Sequence, residues 1–151
     1  MTLKSIEELF SSMATRHKQI NSFYNQEKFD ITAIDEVTYP ALVVNVQEIA
    51  LPKGEGGYAL RRYSMDLEVI DILYQSKSNE SNILSDTSEI LNDIVNEFNT
   101  HPSYNEVGID LTNDISLEPL RDAYGDRISG WSTVLEFETP NLVSFCGSPI
   151  T

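Results

Sequence analysis

The sequence predicts an α+β protein with one domain over residues 1–140: a mixed, mostly antiparallel sheet, two main helices packed on it and a long projecting β-hairpin. Two segments repeat apolar residues every three or four positions, as one face of a helix does. Several others alternate apolar and polar residues, as half-buried strands do. Residues 141–151, which are rich in Pro, Gly and Ser, are predicted to form an extended C-terminal tail. A chain of 151 residues, of which 40% are hydrophobic, is long enough to bury a core.

The first helix is predicted from its apolar stripe and from a candidate cap at its start. Ser5 and Glu8 have the spacing of a capping box, and the helix is expected to end between Asn21 and Asn25. The stripe repeats at steps of three and four residues and comprises Leu3, Ile6, Phe10, Met13, His17 and Ile20. A lone histidine on such a stripe is interpreted as a packed residue and not as a metal ligand.

Two strands follow an irregular connector, which is predicted over residues 24–38. Residues 40–46 form a short apolar run, which indicates a strand covered on both faces. The longer strand is predicted over residues 58–74, where apolar and polar residues alternate until the phase changes at Val69 and Ile70. Either a bulge at this point or a strand covered differently at its two ends would explain the change. At about 3.3 Å per residue this strand would span roughly 55 Å, so part of the hairpin is expected to project as an oligomerisation arm.

The second helix is predicted over residues 83–98 from one continuous apolar stripe. Ser78, Asn79 and Ser81 offer capping side chains before it, and a histidine–proline pair at residues 101–102 ends it. A row of acids lies along another face of this helix and comprises Asp86, Glu89, Asp93 and Glu97. Two interpretations of the row are open: a solvated helix face, or an acidic surface with a function.

The last third of the chain predicts two more strands. In the first, apolar and polar residues alternate from Val107 to Thr112, and the pattern extends to Leu117. A loop over residues 119–127 follows. The final strand is predicted over residues 130–139, before the tail. No internal repeat or low-complexity stretch interrupts this order of elements.

Acidic residues dominate the chain and limit its function. Ten Lys and Arg residues stand against 24 Asp and Glu residues, which gives a formal net charge of −14. Residues 63–120 contain twelve acids and only Lys77 as a cation, so this stretch carries −11 of the total. Such a surface repels phosphate, which argues against ordinary nucleic-acid binding.

No pattern in the sequence favours catalysis, a bound metal or a cofactor. The histidines are His17 and His101, and the single cysteine, Cys146, is interpreted as an apolar filler in a chain kept in a reducing cytoplasm. The oxygen-rich segment 110–114 lacks the glycine and glutamate of a calcium loop, and there is no Gly-x-Ser-x-Gly turn. No apolar run approaches about 18 residues, and no secretion signal precedes the first helix, so no membrane partner is expected.

The order and lengths of the elements resemble those of the tail terminator, or tail-completion, proteins of long-tailed bacteriophages. The resemblance extends over nearly the whole chain and depends on the helix 6–20, the strand 40–46, the hairpin 58–74, the helix 83–98 and the strand 130–139 with its tail. It implies a small, non-enzymatic α+β subunit of a ring, commonly of six copies, at the head-proximal end of the tail tube. Other ring proteins of the phage neck share similar architecture, so the resemblance does not separate a terminator from them.

This resemblance also implies partners and sites in the virion, after assembly in the host cytoplasm. The tail tube protein and a head-side connector protein would be neighbours, and DNA would pass through without specific binding. The acidic row of the second helix, Asp86, Glu89, Asp93 and Glu97, would line or rim the channel. The hairpin and the tail would make head-to-tail subunit contacts. The candidate interface residues are Tyr58, Leu60, Arg62, Ile70, Ile72, Tyr74, Leu142 and Phe145.

Three alternatives fit the same residues. A DNA mimic would use the acidic stretch to block a DNA-binding enzyme. A small nuclease would bind Mg²⁺ through Asp66 and Glu68, which share the polar face of a strand, although no lysine for the phosphate lies nearby in sequence. An acidic adaptor would bind a basic partner protein.

Overall fold

The computed structural model describes residues 2–25, 37–73, 76, 78–100, 109–122 and 127–141. It confirms an α+β fold in which two helices pack on a mixed, mostly antiparallel sheet. In chain order the elements are α1 (Leu3–Arg16), β1 (Ser22–Asn25), β2 (Ala41–Ala50), β3 (Leu60–Ile72), α2 (Glu80–Thr100), β4 (Asp110–Leu111), β5 (Glu118–Asp122) and β6 (Ile128–Pro140).

The sheet has β3 at its centre. The strands β1, β2, β3 and β6 lie side by side in that order, and β4 and β5 pair with successive parts of the outer edge of β6. β1 and β2 run parallel, and the other pairs among the described residues are antiparallel. The pairing of β3 with β6 is continuous, from Leu60 opposite Pro140 to Ile72 opposite Ile128.

Both helices cover the same face of the sheet, which we call the helix face. Phe10 of α1 stacks on Phe98 of α2 with ring centroids 5.2 Å apart, and Phe98 contacts Phe137 of β6 at 4.9 Å. The core on this face includes the buried side chains of Ile6, Phe10, Met13, Leu42, Val44, Tyr63, Met65, Leu67, Val69, Ile90, Leu91, Ile94, Phe98, Leu135 and Phe137. The apolar stripes of the two helices and the alternation of the strands therefore meet in one core.

Helix α1 begins and ends earlier than its sequence pattern predicts. Thr2, and not Ser5, is the N-cap: its Oγ1 accepts the Ser5 N–H, and the Ser5 Oγ accepts the Thr2 N–H. The helix ends at Arg16 because the chain soon enters β1, a short strand that the sequence pattern does not predict. The Asn21 N–H donates to the Pro40 carbonyl at 2.9 Å, which aligns β1 beside β2.

The change of phase in β3 arises because the strand is covered on different faces at its two ends. Ile70 is fully buried on the face opposite the helices. It belongs to a second cluster, whose buried members are Ala41, Val43, Ile70 and Ile128. The alternative of a bulge at Val69 and Ile70 is wrong, because β3 and β6 pair there without a shift. The irregularity of this hairpin lies in β2 instead, between residues 46 and 48.

The long projecting hairpin predicted over residues 58–74 is not confirmed. β3 itself covers Leu60–Ile72 and is shorter than predicted, whereas β2 extends to Ala50. β2 flanks one edge of β3, and β6 flanks the other edge along its whole length. The hairpin is therefore the middle of the sheet.

Residues 109–122 run along the outer edge of β6 as two short strands, where the sequence pattern predicts one strand and then a loop. Between β4 and β5 the side chain of Asn113 takes the place of backbone pairing. Its Oδ1 accepts the Glu136 N–H at 2.8 Å, and its Nδ2 donates to the Val134 carbonyl at 3.0 Å. The polar groups of β6 are thus satisfied without a regular partner strand.

Helix α2 is longer than predicted at both ends, and Trp131 ties it to the sheet. The Trp131 Nε1–H donates to the Leu84 carbonyl at 2.6 Å. Asn141, the first residue of the predicted tail, donates its N–H to the Ala59 carbonyl at 2.9 Å, and residues 142–151 lie outside the described part of the chain. Among the described residues, no helix is both long and apolar enough to cross a membrane.

Candidate functional site

The face of the sheet opposite the helices, which we call the open face, carries the polar side chains of the central strands. On this face Asp66 of β3 lies between its cross-strand neighbours, Asn45 of β2 and Val134 of β6. One end of the open face is apolar, because the second cluster is packed there against the side chains of Tyr24, Val37, Tyr39 and Leu120. Neither α1 nor α2 lies over the rest of this face, since both pack on the helix face.

Carboxylates occupy the uncovered part of the open face. Glu68 and Glu118 lie on either side of Ser132, and Glu136 pairs with Ser64. The set comprises Glu48, Asp66, Glu68, Glu118, Glu136 and Glu138. The open face is therefore a second acidic surface, on the side of the sheet opposite α2.

A cleft of about 360 Å³ opens in the middle of the open face, between β3 and the segment that joins β4 to β5. Its lining residues are Gln47, Asp66, Asn113, Asp114, Ser116, Glu118, Ser132, Thr133 and Val134. Asn113 holds the joining segment against β6 through its side chain, and the Thr133 hydroxyl donates to the Ser116 carbonyl at 2.8 Å. Among the described residues, three carboxylates and no cation line this cleft.

Burial and neighbouring charge both act on the cleft carboxylate Asp66. Burial raises the pKa of Asp66 above its ordinary value of 3.8, and the negative charge of Glu118 raises this pKa further. Burial likewise raises the pKa of Asp71, although its hydrogen bond from the Ile72 N–H lowers this pKa and the charge of Asp86 raises it. A positive group placed in the cleft would relieve the repulsion between Asp66 and Glu118.

The chemistry that this cleft favours is the binding of a basic group. The described residues offer no group of three His, Cys, Asp or Glu side chains that could hold a metal ion. Asp66 and Glu68, the candidate ligands of a nuclease, share the open face, but Glu68 does not line the cleft. The carboxylates would repel the phosphates of a nucleic acid and attract a lysine or arginine of a protein.

Replacing Asp66 with asparagine is expected to stabilise the protein at neutral pH. Because the pKa of Asp66 is higher in the folded state than in the unfolded chain, the folded state loses stability as the pH rises through this raised pKa. The gain in free energy of unfolding should be below about 1 kcal/mol, since solvent screens a half-exposed group. It should vanish well below pH 3.8, where both states are protonated.

Urea unfolding at neutral and at acidic pH measures this effect of Asp66→Asn. Glu55→Gln, which neutralises an exposed carboxylate in the β2–β3 turn, is the control and should unfold like the unmodified chain. A lower unfolding midpoint for Asp66→Asn at neutral pH would show that the carboxylate stabilises the fold.

The acidic row on α2 is divided by two contacts with the end of α1, a hydrogen bond from His17 and an ion pair with Arg16. Asp93 Oδ2 lies 3.0 Å from His17 Nε2, and Glu97 Oε1 lies 2.6 Å from Arg16 Nη1. The Asp93 side chain remains 56% exposed, whereas that of Glu97 is 29% exposed. Asp86 and Glu89, which lie on the N-terminal half of α2, are exposed. The outward surface of α2 is thus acidic mainly along that half.

Three of the candidate interface residues lie together at the end of the sheet where β2 leads into β3. The side chains of Tyr58 and Leu60 are 52% and 40% exposed. Arg62 is also exposed, and its Nη2 lies 2.6 Å from Glu138 Oε1. Tyr58 and Leu60 are therefore accessible to a neighbouring molecule.

The other candidate interface residues have different places. Ile70 is fully buried in the second cluster, so this side chain contributes to the fold of its own chain. Ile72 is half-buried at the end of β3. Tyr74, Leu142 and Phe145 lie outside the described residues.

Sequence reasoning missed several residues of these surfaces. Val46, Ile49 and Leu51 are exposed large apolar side chains close in sequence to Tyr58 and Leu60. The alternation of β2 breaks between residues 46 and 48, and the polar pair Gln47-Glu48 in an otherwise apolar run was the available signal. The meeting of Glu118 with Asp66 had no local signal, because it depends on which strands become neighbours.

Comparison with known proteins assigns the chain to no group. No protein-family model matches it, and no curated protein matches it significantly. The function is therefore argued from the surfaces described above.

Proposed function

We propose that this chain is a non-catalytic structural subunit that assembles into a ring, as a tail terminator or another neck ring protein of a long-tailed bacteriophage does. One observation carries the proposal: the exposed large apolar side chains of the described residues belong to β2, to β3 and to the turn between them, and most of them lie at one end of the sheet. They are Val46, Ile49, Leu51, Tyr58 and Leu60. A single exposed apolar side chain is ordinary, but a concentrated group marks an interaction surface.

The acids of α2 support a role beside DNA. Asp86 and Glu89 are exposed on its outward surface, and Asp93 is partly exposed next to them. A channel wall of this sign repels phosphate and prevents the counterion-release binding that cations would cause. A ring with α2 facing its channel would let DNA pass between a head-side connector protein and the tail tube protein without holding it.

Electron microscopy of the virion, or of the chain co-expressed with its neighbouring proteins, tests this proposal. The expected result is a ring of copies of this fold around a central channel, with α2 on the inner wall. An assembly without such a ring would reject the proposal. A ring with α2 on its outer wall would keep the structural role and reject the channel lining.

Charge reversal tests the channel wall in the assembled ring. Asp86→Lys combined with Glu89→Lys is expected to make the ring bind DNA at low salt and release it at high salt. Glu8→Lys combined with Glu55→Lys is the matched control, because it changes the net charge equally at exposed positions outside α2. Equal DNA binding by both double variants would mean that net charge, and not the channel wall, governs the effect.

The cleft on the open face favours a second candidate function, an acidic adaptor or DNA mimic that binds a basic partner. Its carboxylates Asp66, Asp114 and Glu118 would engage the cations of a DNA-binding enzyme. A mimic would act without forming a ring and would inhibit a nuclease or repressor in solution. Inhibition together with an absence of rings would favour this candidate.

A further inference from the structure

The end of the sheet where β2 leads into β3, which we call the apolar end, has the composition of a docking surface. Its exposed apolar side chains are Ile49, Leu51, Tyr58 and Leu60, with exposed fractions from 40% to 52%. Cross-strand pairing places Ile49 beside Tyr63 on the helix face. Leu60 lies two residues before Arg62 on β3, so both belong to the open face. The apolar end is therefore apolar on both sides of the sheet.

A tight turn presents one lysine at the apolar end. The Gly54 N–H donates to the Gly57 carbonyl at 2.8 Å, and the Gly57 N–H donates to the Gly54 carbonyl at 3.2 Å. Gly57 has a φ of +97°, a conformation that favours glycine. Lys53 directly precedes this turn, is exposed and forms no ion pair with a described residue. An ordered turn loses little conformational entropy when it binds.

The segment 51–62 has a positive balance of charge, unlike the rest of the chain, although Glu48 and Glu138 of the neighbouring strands also lie at this end of the sheet. Residues 51–62 contain three cations and one acid, whereas residues 63–120 carry −11. Arg62 is paired with Glu138, and Arg61 donates to the Tyr63 hydroxyl, so Lys53 is the cation of this segment that faces a partner. The surface that complements an exposed, unpaired lysine is acidic.

The cleft on the open face of the same protein is an acidic surface of this kind. Its volume is about 360 Å³, and the described residues that line it include Asp66, Asp114 and Glu118 and no cation. Because burial and Glu118 raise the pKa of Asp66, an entering cation would stabilise the charged carboxylates. The apolar end and the cleft are different surfaces of one chain, so their pairing between copies is head-to-tail and generates a ring or a filament.

We propose that the apolar end of one copy docks in the open-face cleft of the next copy, with Lys53 directed at Asp66 and Glu118. This inference rests on the proposed assembly of the chain with itself, and it adds which two surfaces meet. The ring interface is then heterologous, and the charge pair sets its orientation.

A charge swap tests the docking with the purified full chain. Sedimentation equilibrium over a range of concentrations measures its self-association. Lys53→Glu and Glu118→Lys are each expected to weaken self-association about tenfold or more, since each leaves like charges facing each other. The double variant, Lys53→Glu with Glu118→Lys, restores the opposite charges and should recover most of the lost affinity.

Two matched controls separate the docking from net charge. Lys4→Glu changes the charge as Lys53→Glu does, and Glu8→Lys changes it as Glu118→Lys does, but both residues are exposed on α1. The controls should associate like the unmodified chain, and circular dichroism should show all variants folded. Single variants that associate normally, a double variant that is not rescued, or a chain that does not self-associate would each overturn the docking.

The docking and the proposed function fail in different ways. If particle images show the ring but the charge swap has no effect, the docking is wrong and the ring uses another interface. If the swap behaves as expected but particles hold no ring, the chain self-associates by these surfaces and the phage neck role is wrong.

Discussion

Replacing Gly130 with alanine is expected to lower the free energy of unfolding by about 3 kcal/mol or more, because the added methyl group has no room. A Cβ at this position of β6 would lie 2.0 Å from the Val69 carbonyl oxygen and 3.0 Å from the Ile70 Cα. Both atoms belong to the backbone of β3, so no side chain can move aside. The substitution would force apart the pairing of the two longest strands.

Chemical unfolding followed by circular dichroism measures the effect of Gly130→Ala. Gly56→Ala is the matched control, because nothing lies within 4 Å of the Cβ that it would add. The control should unfold near the midpoint of the unmodified chain. A Gly130→Ala variant with an unchanged midpoint would contradict the close approach of β6 to β3.

Replacing Phe98 with alanine should cost about 3 to 5 kcal/mol, the usual range for a large aromatic residue removed from a core. Phe98 is 1% exposed and lies between the rings of Phe10 and Phe137, which belong to α1 and β6. The cavity would therefore open where both helices and the sheet meet. Loss of the two ring contacts adds to the cost of the cavity.

Two control substitutions show how much of the effect of Phe98→Ala comes from the lost side-chain volume and how much from the buried position of the ring. Phe98→Leu keeps most of the volume and should cost clearly less than the alanine variant. Tyr58→Ala removes an aromatic ring that is 52% exposed, and it should leave the unfolding midpoint of the monomer nearly unchanged. Equal losses for Phe98→Ala and Phe98→Leu would mean that the ring contacts, and not the cavity, dominate.

The helices and the central strands could be predicted from the sequence because each has a local period. The apolar stripe of α2 and the alternation of β6 arise because each element is buried on one side. Apolar residues therefore recur at a fixed spacing along each element. The phase change in β3 was also visible, and one of its two explanations, different cover at the two ends, agrees with the buried position of Ile70.

The parts that could not be predicted depend on pairing between distant segments. β1 is four residues long and exists because it lies beside β2, so its own sequence has no period to detect. Asn113 could not be recognised as a substitute for strand pairing, since its partners Val134 and Glu136 lie more than 20 residues away. The long alternating strand that became β3 also gave no sign that it was the middle of the sheet and not a projecting arm.

The acidic surfaces could be predicted in part. Regular spacing along α2 located its acidic row, but the contacts of Asp93 with His17 and of Glu97 with Arg16 depend on helix packing. The cleft of the open face joins Asp66 with Glu118, which lie on strands that are not neighbours in the chain. Its position follows from the sheet order, and local patterns do not encode that order.

The pairing of β3 with β6 has a consequence for the synthesis of the protein on the ribosome. Partners in this pair, such as Arg62 and Glu138, are 76 residues apart in the chain. While translation continues, β3 can form a hairpin with β2 and α2 can form by itself, but one edge of β3 stays open until β6 emerges. An open edge of this length attracts other strands. The nascent chain is therefore most exposed to wrong pairing just before its last strand is complete.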